Sequence, residues 1–284
     1  MRYFPLTTDR FEHQFGIRAL ADSESMIEAT DRYQDEILLR RRAFAEDPAY
    51  YFSAEPASIA AQRDARDLII AAADFLACGH NRELDEPIDC QRDPPLLEIA
   101  RHVQEDLAII GDDAERGFPL IAGAIAFPSG WCIGDKIGKS ILEIHDPVPE
   151  YATELNPPTE RLMQQLKPGR PVWRMNWGVR PSGQLDQSPR HQRYLRQRRE
   201  LISAENAGSE CFFRVERQTL ARLQPSGAIL FAIHTHCAPL NELSTLQRHN
   251  LLGVIRSCSD ETLDYKGILA TREPIVAYLQ RGLE

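Results

Sequence analysis

The chain has 284 residues, of which 43% are hydrophobic and 26% are charged, values typical of a folded globular protein and not of a disordered or fibrous one. Its formal net charge is −9, whereas affinity for nucleic-acid phosphates or anionic membranes comes from a concentrated basic surface. Composition and charge therefore argue against a nucleic-acid-binding or membrane-binding protein.

Membrane insertion and disulfide chemistry are not expected either. No apolar run reaches the roughly 18 residues needed to span a bilayer, and the stretch MRYFPLTTDRFEH at the N-terminus lacks the apolar core of a signal peptide. The six cysteines have no CxxC spacing, so neither a structural zinc site nor an iron–sulfur cluster is indicated. We expect a cytoplasmic protein with buried, reduced thiols.

Apolar residues at helical spacing predict three helices in the first part of the chain, at residues 23–44, 58–78 and 96–110. The stretch GFPLIAGAIAFPSGW, residues 117–131, then predicts a buried strand that glycine and proline end.

The next segment, FPSGWCIGDKIGKSILEIHDPVPEY at residues 127–151, places a histidine at the end of an apolar helical stripe. Four residues are spaced four positions apart and are expected to lie along one side of a helix: Ile133, Ile137, Ile141 and His145. Pro147 and Pro149 should end that helix at or just past His145. A ring nitrogen that donates to a carbonyl of the last turn leaves the other nitrogen free to bind a metal. The alternative is a core histidine that is satisfied by its own helix end.

Three later segments alternate apolar and polar residues, at 171–180, 211–223 and 227–240, and predict neighbouring strands of one antiparallel sheet. The sequence LQPSG at residues 223–227 predicts a turn that joins the last two as a hairpin. Each strand has an apolar side and a side with arginine, amide or imidazole groups. Such groups suit a pocket that binds carboxylates or a cofactor, because arginine holds a carboxylate through paired hydrogen bonds. We therefore expect four of them to face a common cavity: Arg174, Asn176, Arg214 and His234. The alternative is a solvent-exposed polar face.

Four blocks of the chain resemble the haem-dependent oxidative N-demethylase alpha subunit family, in the same order. They are VQEDLAII at 103–110, the segment 127–151 quoted above, RMNWGV at 174–179, and RVERQTLARLQPSGAILFAIHT at 214–235. The segment FGIRALADSESMIEATDRYQDEILLRRRAF at 15–44 is similar to the family's first segment. The resemblance thus extends over nearly the whole chain.

The resemblance implies an α+β fold in which a PAS-like antiparallel sheet is wrapped by helices. It implies one domain over residues 1–284, with a helical part at about 1–115, the sheet core at about 116–240 and a helical C-terminal tail. The implied cofactor is haem b, and the implied reaction is a monooxygenation that removes a methyl group from a small methylated amine. Dioxygen is the co-substrate, and electrons come from NADPH through FMN and a 2Fe-2S cluster on a separate reductase.

Site residues follow from the matching blocks. His145 lies in the matching segment and is the expected axial ligand of the haem iron. Arg174, Asn176 and Arg214 are expected to hold the haem propionates or to order the pocket, with His234 as a further cofactor-binding residue. Glu216 and Glu105 are candidate catalytic groups that balance the positive charge of the amine.

Two other functions are compatible with the residues. His234 and His236, two apart on one strand, could bind a non-haem metal together with Glu216 on the neighbouring strand. A PAS-like haem protein could also act as a sensor or binding module without turnover.

Overall fold

The computed structural model describes residues 1–12 and 15–281. Its centre is a seven-stranded sheet in the order β1-β7-β8-β9-β5-β6-β2, and every neighbouring pair is antiparallel. Strands β3 and β4 form a separate small ribbon. The strands are β1 (Arg18–Ala19), β2 (Phe52–Ala54), β3 (His80–Asn81), β4 (Glu86–Pro87), β5 (Asp106–Ile110), β6 (Leu120–Ala124), β7 (Val172–Arg180), β8 (Phe212–Arg222) and β9 (Ile229–Pro239).

Helices surround this sheet, and most of them are short. They are α1 (Tyr33–Glu46), α2 (Pro48–Tyr51), α3 (Ile59–Ala72), α4 (Pro95–Ile99), α5 (Ile141–Ile144), α6 (Asn156–Gln165), α7 (Gln192–Glu200), α8 (Ala207–Glu210), α9 (Thr245–Ser257), α10 (Asp260–Tyr265) and α11 (Arg272–Arg281). Among the described residues no helix is both long enough and apolar enough to cross a membrane. The architecture is α+β, as expected.

The three long strands confirm the alternation and the hairpin predicted from the sequence. β8 pairs with β7 on one side and with β9 on the other over most of its length. The turn between β8 and β9 is closed by a hydrogen bond from the Leu223 amide to the Ala228 carbonyl, 2.8 Å. Gly227 has a φ of +75°, a left-handed conformation that glycine adopts without strain. The buried strand predicted within residues 117–131 is β6.

Two predicted helices differ from the structure. The helix expected at 23–44 begins only at Tyr33, after a series of turns. The helix expected at 96–110 is helical only as α4, and its second half is strand β5, which lies between β6 and β9. All five residues of β5 are buried, and a short apolar run buried on both faces has no period that separates a strand from a helix.

The register between the strands decides which side chains share a face, since directly opposed residues of antiparallel strands project to the same side. Asn176 lies opposite Glu216 and Arg174 opposite Gln218, which defines one face, here named the cavity face. The other face, named the histidine face, carries Arg217 opposite His234, and also His236.

Different segments cover the two faces. The 131–166 segment packs on the cavity face, where Ile141, Tyr151 and Met163 contact the apolar side chains of β5, β8 and β9. Helices α9 and α11 pack on the histidine face around Trp177, Val179 and Phe213 together with residues near the N-terminus. Helices α1 and α3 complete that side around β5 and β6.

Candidate functional site

The four side chains that were expected to share a cavity lie on two faces of the sheet. Arg174, Asn176 and Arg214 are on the cavity face, but His234 is on the histidine face because it lies opposite Arg217. The expectation of one common cavity for all four is therefore wrong. The alternation of apolar and polar residues correctly predicted which side chains of one strand share a face. Which face of β9 matches which face of β8 depends on the register between the strands, and the sequence does not show that register.

The alternative of a solvent-exposed polar face is also not what the structure has. Arg214 and His234 are 2% and 1% exposed, and Arg174 and Asn176 are only partly exposed. Arg214 donates to the carbonyl oxygens of Leu185 at 2.9 Å and Phe127 at 2.6 Å. It thus fastens two loops over the cavity face.

His145 follows the last residue of α5, where the prolines were predicted to end the helix. Its helix is a single turn, begun by a capping box in which Ser140 and Glu143 exchange hydrogen bonds. The longer helix predicted from Ile133 is interrupted, because Gly138 adopts a φ of +79° between an isolated 3₁₀ turn at Ile133–Asp135 and α5. The stripe of residues spaced by four is therefore not continuous.

The His145 ring is held in one orientation and one protonation state. Its Nδ1 lies 2.8 Å from the carbonyl oxygen of Ile141, which can only accept, so Nδ1 carries the proton and Nε2 carries a lone pair. The ring stacks on Tyr151, with centroids 4.3 Å apart and planes 6° from parallel. Burial lowers the pKa of His145 to about 4, with Lys136 and Arg174 acting in the same direction and the hydrogen bond to Ile141 opposing them, so the ring is neutral at pH 7.

A cavity of about 520 Å³ opens beside His145. It lies between the loop at residues 145–153 and the end of α10, with Tyr151, Asp264 and Tyr265 in its wall. This volume is within the range of about 300 to 1,000 Å³ found for small-molecule and cofactor sites.

Arg174 lies on the cavity face of β7, near enough for its charge to lower the pKa of His145 and to interact with Tyr151 and Tyr265 of the cavity wall. The Arg174 Nε is buried and has no hydrogen-bond partner among the residues that the structure describes. Burial lowers the pKa of its guanidinium, while Tyr265, Tyr151 and Glu216 act in the opposite direction. A guanidinium whose buried Nε has no partner favours an anionic ligand.

Glu216 is the centre of a hydrogen-bond network on the cavity face. It accepts from Ser129 Oγ at 3.0 Å, from Asn176 Nδ2 at 3.3 Å and from Gln218 Nε2 at 3.0 Å. Asn176 in turn accepts through Oδ1 from Lys266 Nζ at 2.9 Å. The carboxylate is thus held in place by neutral donors, with two cations nearby.

Lys266 was not found by sequence reasoning, because the isolated DYKG that contains it has no signal of function. Burial lowers the pKa of its ammonium to about 7, with Arg174 adding to the effect and Glu216 opposing it. The chain bends sharply after it at Gly267, where φ is +75° and an added Cβ would lie 2.1 Å from Arg180 Nη1. Close packing against Arg180 thus fixes Lys266 beside Asn176.

The metal hypothesis for His234 and His236 involved the wrong carboxylate. Glu216 lies opposite Thr235 and projects to the cavity face, away from both histidines. Among the described residues the carboxylate near the two rings is Glu28: one oxygen of Glu28 and one ring nitrogen of each histidine lie within 4.8 Å of one another. Glu105 is on this face too, with its Oε1 3.3 Å from His234 Nδ1.

The blocks of sequence and the site geometry can be set against known families. A model of the family described as haem-dependent oxidative N-demethylase, alpha subunit-like, matches residues 16–276. The match includes every strand of the large sheet and the residues around both faces. Because it extends over most of the chain, this protein belongs to the haem-dependent oxidative N-demethylase alpha subunit-like family.

Proposed function

We propose that this chain binds haem b on the cavity face of a PAS-like sheet and removes a methyl group from a small methylated amine by oxidation. The observation that carries the proposal is His145: a neutral imidazole, oriented by its own helix end, beside a cavity of suitable size in a chain of this family. His145 Nε2 would be the protein's ligand to the haem iron.

The donor set around the cavity fits such a group. An iron ligand needs a neutral ring whose other nitrogen is anchored, and the hydrogen bond from Nδ1 to the Ile141 carbonyl supplies that anchor. A haem also carries two propionates, and the buried Arg174 Nε is a donor without a partner among the described residues. Arg174 is therefore the proposed propionate contact, and Arg214 acts indirectly by fastening the loops at residues 127 and 185.

Bound haem supplies the activation of dioxygen for oxidation of the methyl group. In the overall reaction the methylated amine, dioxygen, NADPH and a proton give the demethylated amine, formaldehyde, NADP⁺ and water. The electrons are proposed to arrive from NADPH through FMN and a 2Fe-2S cluster on a separate reductase, since the cysteines of this chain lack cluster spacing.

The chain's own groups bind the amine and manage its charge. Glu216, fixed by Ser129, Asn176 and Gln218, is proposed to balance the ammonium form of the substrate. Lys266 Nζ, with a pKa near neutrality, is proposed to hold or release a proton next to Asn176. Glu105 lies on the opposite face, so the proposal for the amine's charge rests on Glu216 alone.

The test is the visible spectrum of protein produced with a haem precursor. We expect wild-type protein to show a Soret band, and His145→Ala to lose the native ferric and ferrous spectra, with partial recovery on adding imidazole. His191→Ala is the matched control, because that partly exposed ring is paired with Asp186 and neither residue lines the cavity. An unchanged Soret band in His145→Ala would contradict the ligand assignment.

Turnover separates the demethylase from a haem sensor. With a reductase and NADPH, the enzyme proposal requires formaldehyde release that depends on added methylated amine. Haem binding without any formaldehyde release would favour the sensor.

A further inference from the structure

The histidine face contains a second cluster of polar groups that the proposed function does not use. Glu28 comes from the segment before α1, and His234 and His236 come from one side of β9. One oxygen of Glu28 and one nitrogen from each ring lie within 4.8 Å of one another. This cluster lies across the sheet from His145 and the cavity face.

Several atoms of the cluster are buried without a hydrogen bond from any described residue. They are Oε2 of Glu28, Oε2 of Glu105, Nδ1 of His234 and Nε2 of His236. Burying a polar atom without a partner costs free energy, and Glu28, His234 and His236 lie close enough together to share one partner, although His234 Nδ1 is also 3.3 Å from Glu105 Oε1. His234 and Glu105 are each only 1% exposed, so bulk water does not satisfy them.

We propose that Glu28, His234 and His236 bind a divalent transition-metal ion, with zinc as the best match to two imidazoles and a carboxylate. Zinc binds imidazole nitrogen and carboxylate oxygen at about 2.0 to 2.2 Å in a tetrahedral arrangement. Ligand atoms around such an ion lie roughly 3.3 Å apart, so the side chains need to close in by a modest amount from their present separation.

The electrostatics of the cluster fit a cation. Burial, with His234 and Arg217 acting in the same direction, lowers the pKa of His236 to about 3, so its ring is neutral and has a lone pair to donate. Glu28 and Glu105 each add a negative charge. Against these stand Arg217, whose Nη1 is 4.0 Å from Glu28 Oε2, and the exposed Arg2, 3.2 Å from Glu28 Oε1.

The position of the ligands gives the ion a structural role. Glu28 belongs to the N-terminal segment. Arg217 of β8 also holds this segment, because its guanidinium donates hydrogen bonds to the carbonyl oxygens of Ser25 and Met26. The Tyr3 hydroxyl also donates to Glu28, 2.7 Å. A metal bound here joins the segment around Glu28 to β9, so it should protect that segment from proteolysis and raise the melting temperature.

The experiment uses the full chain without added haem, treated with a chelator, returned to buffer and mixed with an equal amount of zinc. Wild-type protein should retain about one zinc per chain after gel filtration, as measured by elemental analysis. The variants Glu28→Gln and His236→Ala should retain zinc at least about tenfold more weakly. His249→Ala, which changes an exposed histidine outside the cluster, is the matched control and should bind zinc like the wild type.

Two further measurements keep the proposal testable if His236→Ala folds poorly. Glu28→Gln preserves the size of the side chain in a partly exposed segment, so its circular dichroism should match the wild type. Cobalt in place of zinc should give the visible absorption of a tetrahedral site in the wild type and not in Glu28→Gln. His145→Ala should leave zinc binding unchanged, so a failure of the haem assignment does not affect this one. A wild type that retains no zinc, or a Glu28→Gln protein that retains as much, would overturn the proposal.

Discussion

Two buried arginines of β8, three residues apart, fasten different segments to the two faces of the sheet. Arg214 on the cavity face donates to the carbonyls of Leu185 and Phe127. Arg217 on the histidine face donates to two carbonyls of the N-terminal segment. The two faces are thus closed by the same kind of contact, and they differ in the groups that remain unpaired.

On the cavity face the groups of interest are Arg174, whose Nε has no partner among the described residues, and the neutral imidazole of His145, whose Nε2 carries a lone pair. On the histidine face they include two carboxylate oxygens, two imidazole nitrogens and the Nε of Arg217. Arg174 and His145 suit an apolar cofactor that carries anionic substituents and a metal ion. The carboxylates and imidazoles of the histidine face suit a small cation. One strand pair therefore contributes to two sites that favour ligands of opposite charge, because neighbouring residues of a strand point to opposite sides of the sheet.

The largest expected effect is on the free energy of unfolding, and it distinguishes Arg214, which holds two loops, from Arg174, which is proposed to bind a ligand. Arg214→Ala leaves two buried carbonyls without donors and should lower the free energy of unfolding by about 2 to 5 kcal/mol. Arg174→Ala removes a buried charge that has an unpaired Nε, so in the haem-free protein it should cost about 1 kcal/mol or less. Chemical denaturation of both variants measures the difference.

Haem titration completes this comparison. Arg174→Ala should weaken haem binding by about tenfold or more, the worth of a charge-assisted hydrogen bond. If Arg174→Ala proved as unstable as Arg214→Ala and bound haem normally, Arg174 would be a structural residue and not a propionate contact.

A second prediction concerns the pH dependence that the cavity face contributes through Lys266. Its pKa is about 7 in the folded protein and about 10.5 in the unfolded chain, so between these values the unfolded state binds more protons. The free energy of unfolding should therefore rise with pH in this window. Relative to Lys266→Met, wild-type protein should gain about 2 kcal/mol between pH 7 and pH 9. A constant difference between the two proteins would show that Lys266 is not perturbed.

The part of this molecule that the sequence could predict is the part governed by local patterns. The alternation around Trp173 and Trp177, the LQPSG turn and the end of the helix before Pro147 depend on residues close together in the chain. Strand β5 was missed because burial on both faces removes the alternation that marks a strand. The position of His234 required the register between strands, which is a tertiary property.

The sequence also could not predict which residues contact each site residue. Glu28 lies more than 200 residues from His234 in the sequence, and Lys266 lies 90 residues from Asn176. No spacing rule joins such pairs, because the fold alone brings them together. The helix end before Pro147 and the resemblance to a family both indicated His145, and the matching blocks indicated Arg174, but neither indicated Lys266 or Glu28.

A third prediction compares the two buried imidazoles in metal-free, haem-free protein. Both have a folded pKa below the ordinary 6.5, about 4 for His145 and about 3 for His236. As pH falls from about 6.5, the unfolded state takes up the proton first, so each histidine contributes stability at pH 7 that is lost towards its folded pKa. His145→Gln and His236→Gln should each reduce the stability loss between pH 7 and pH 5 by about 2 kcal/mol.

Titration of the ring resonances by NMR makes the comparison sharper. The His145 ring should begin to protonate before the His236 ring as the pH is lowered, since only His236 has a second imidazole beside it. Either ring titrating near 6.5 would indicate solvent access and would remove the basis for treating that nitrogen as a buried ligand.

The smallest expected effect concerns the stack that orients His145. Tyr151→Phe keeps an aromatic ring parallel to the imidazole and should change haem affinity and stability by no more than about 0.5 kcal/mol. Tyr151→Leu removes the ring contact, worth about 0.5 to 1.5 kcal/mol, and leaves the hydrogen bond to Ile141 as the main restraint on the imidazole. Its haem affinity should fall by roughly 2- to 10-fold while zinc binding on the histidine face stays unchanged. Equal haem affinity in the two variants would show that the helix-end hydrogen bond alone orients the ligand, whereas parallel loss of haem and zinc in Tyr151→Leu would mean that the two faces are not independent.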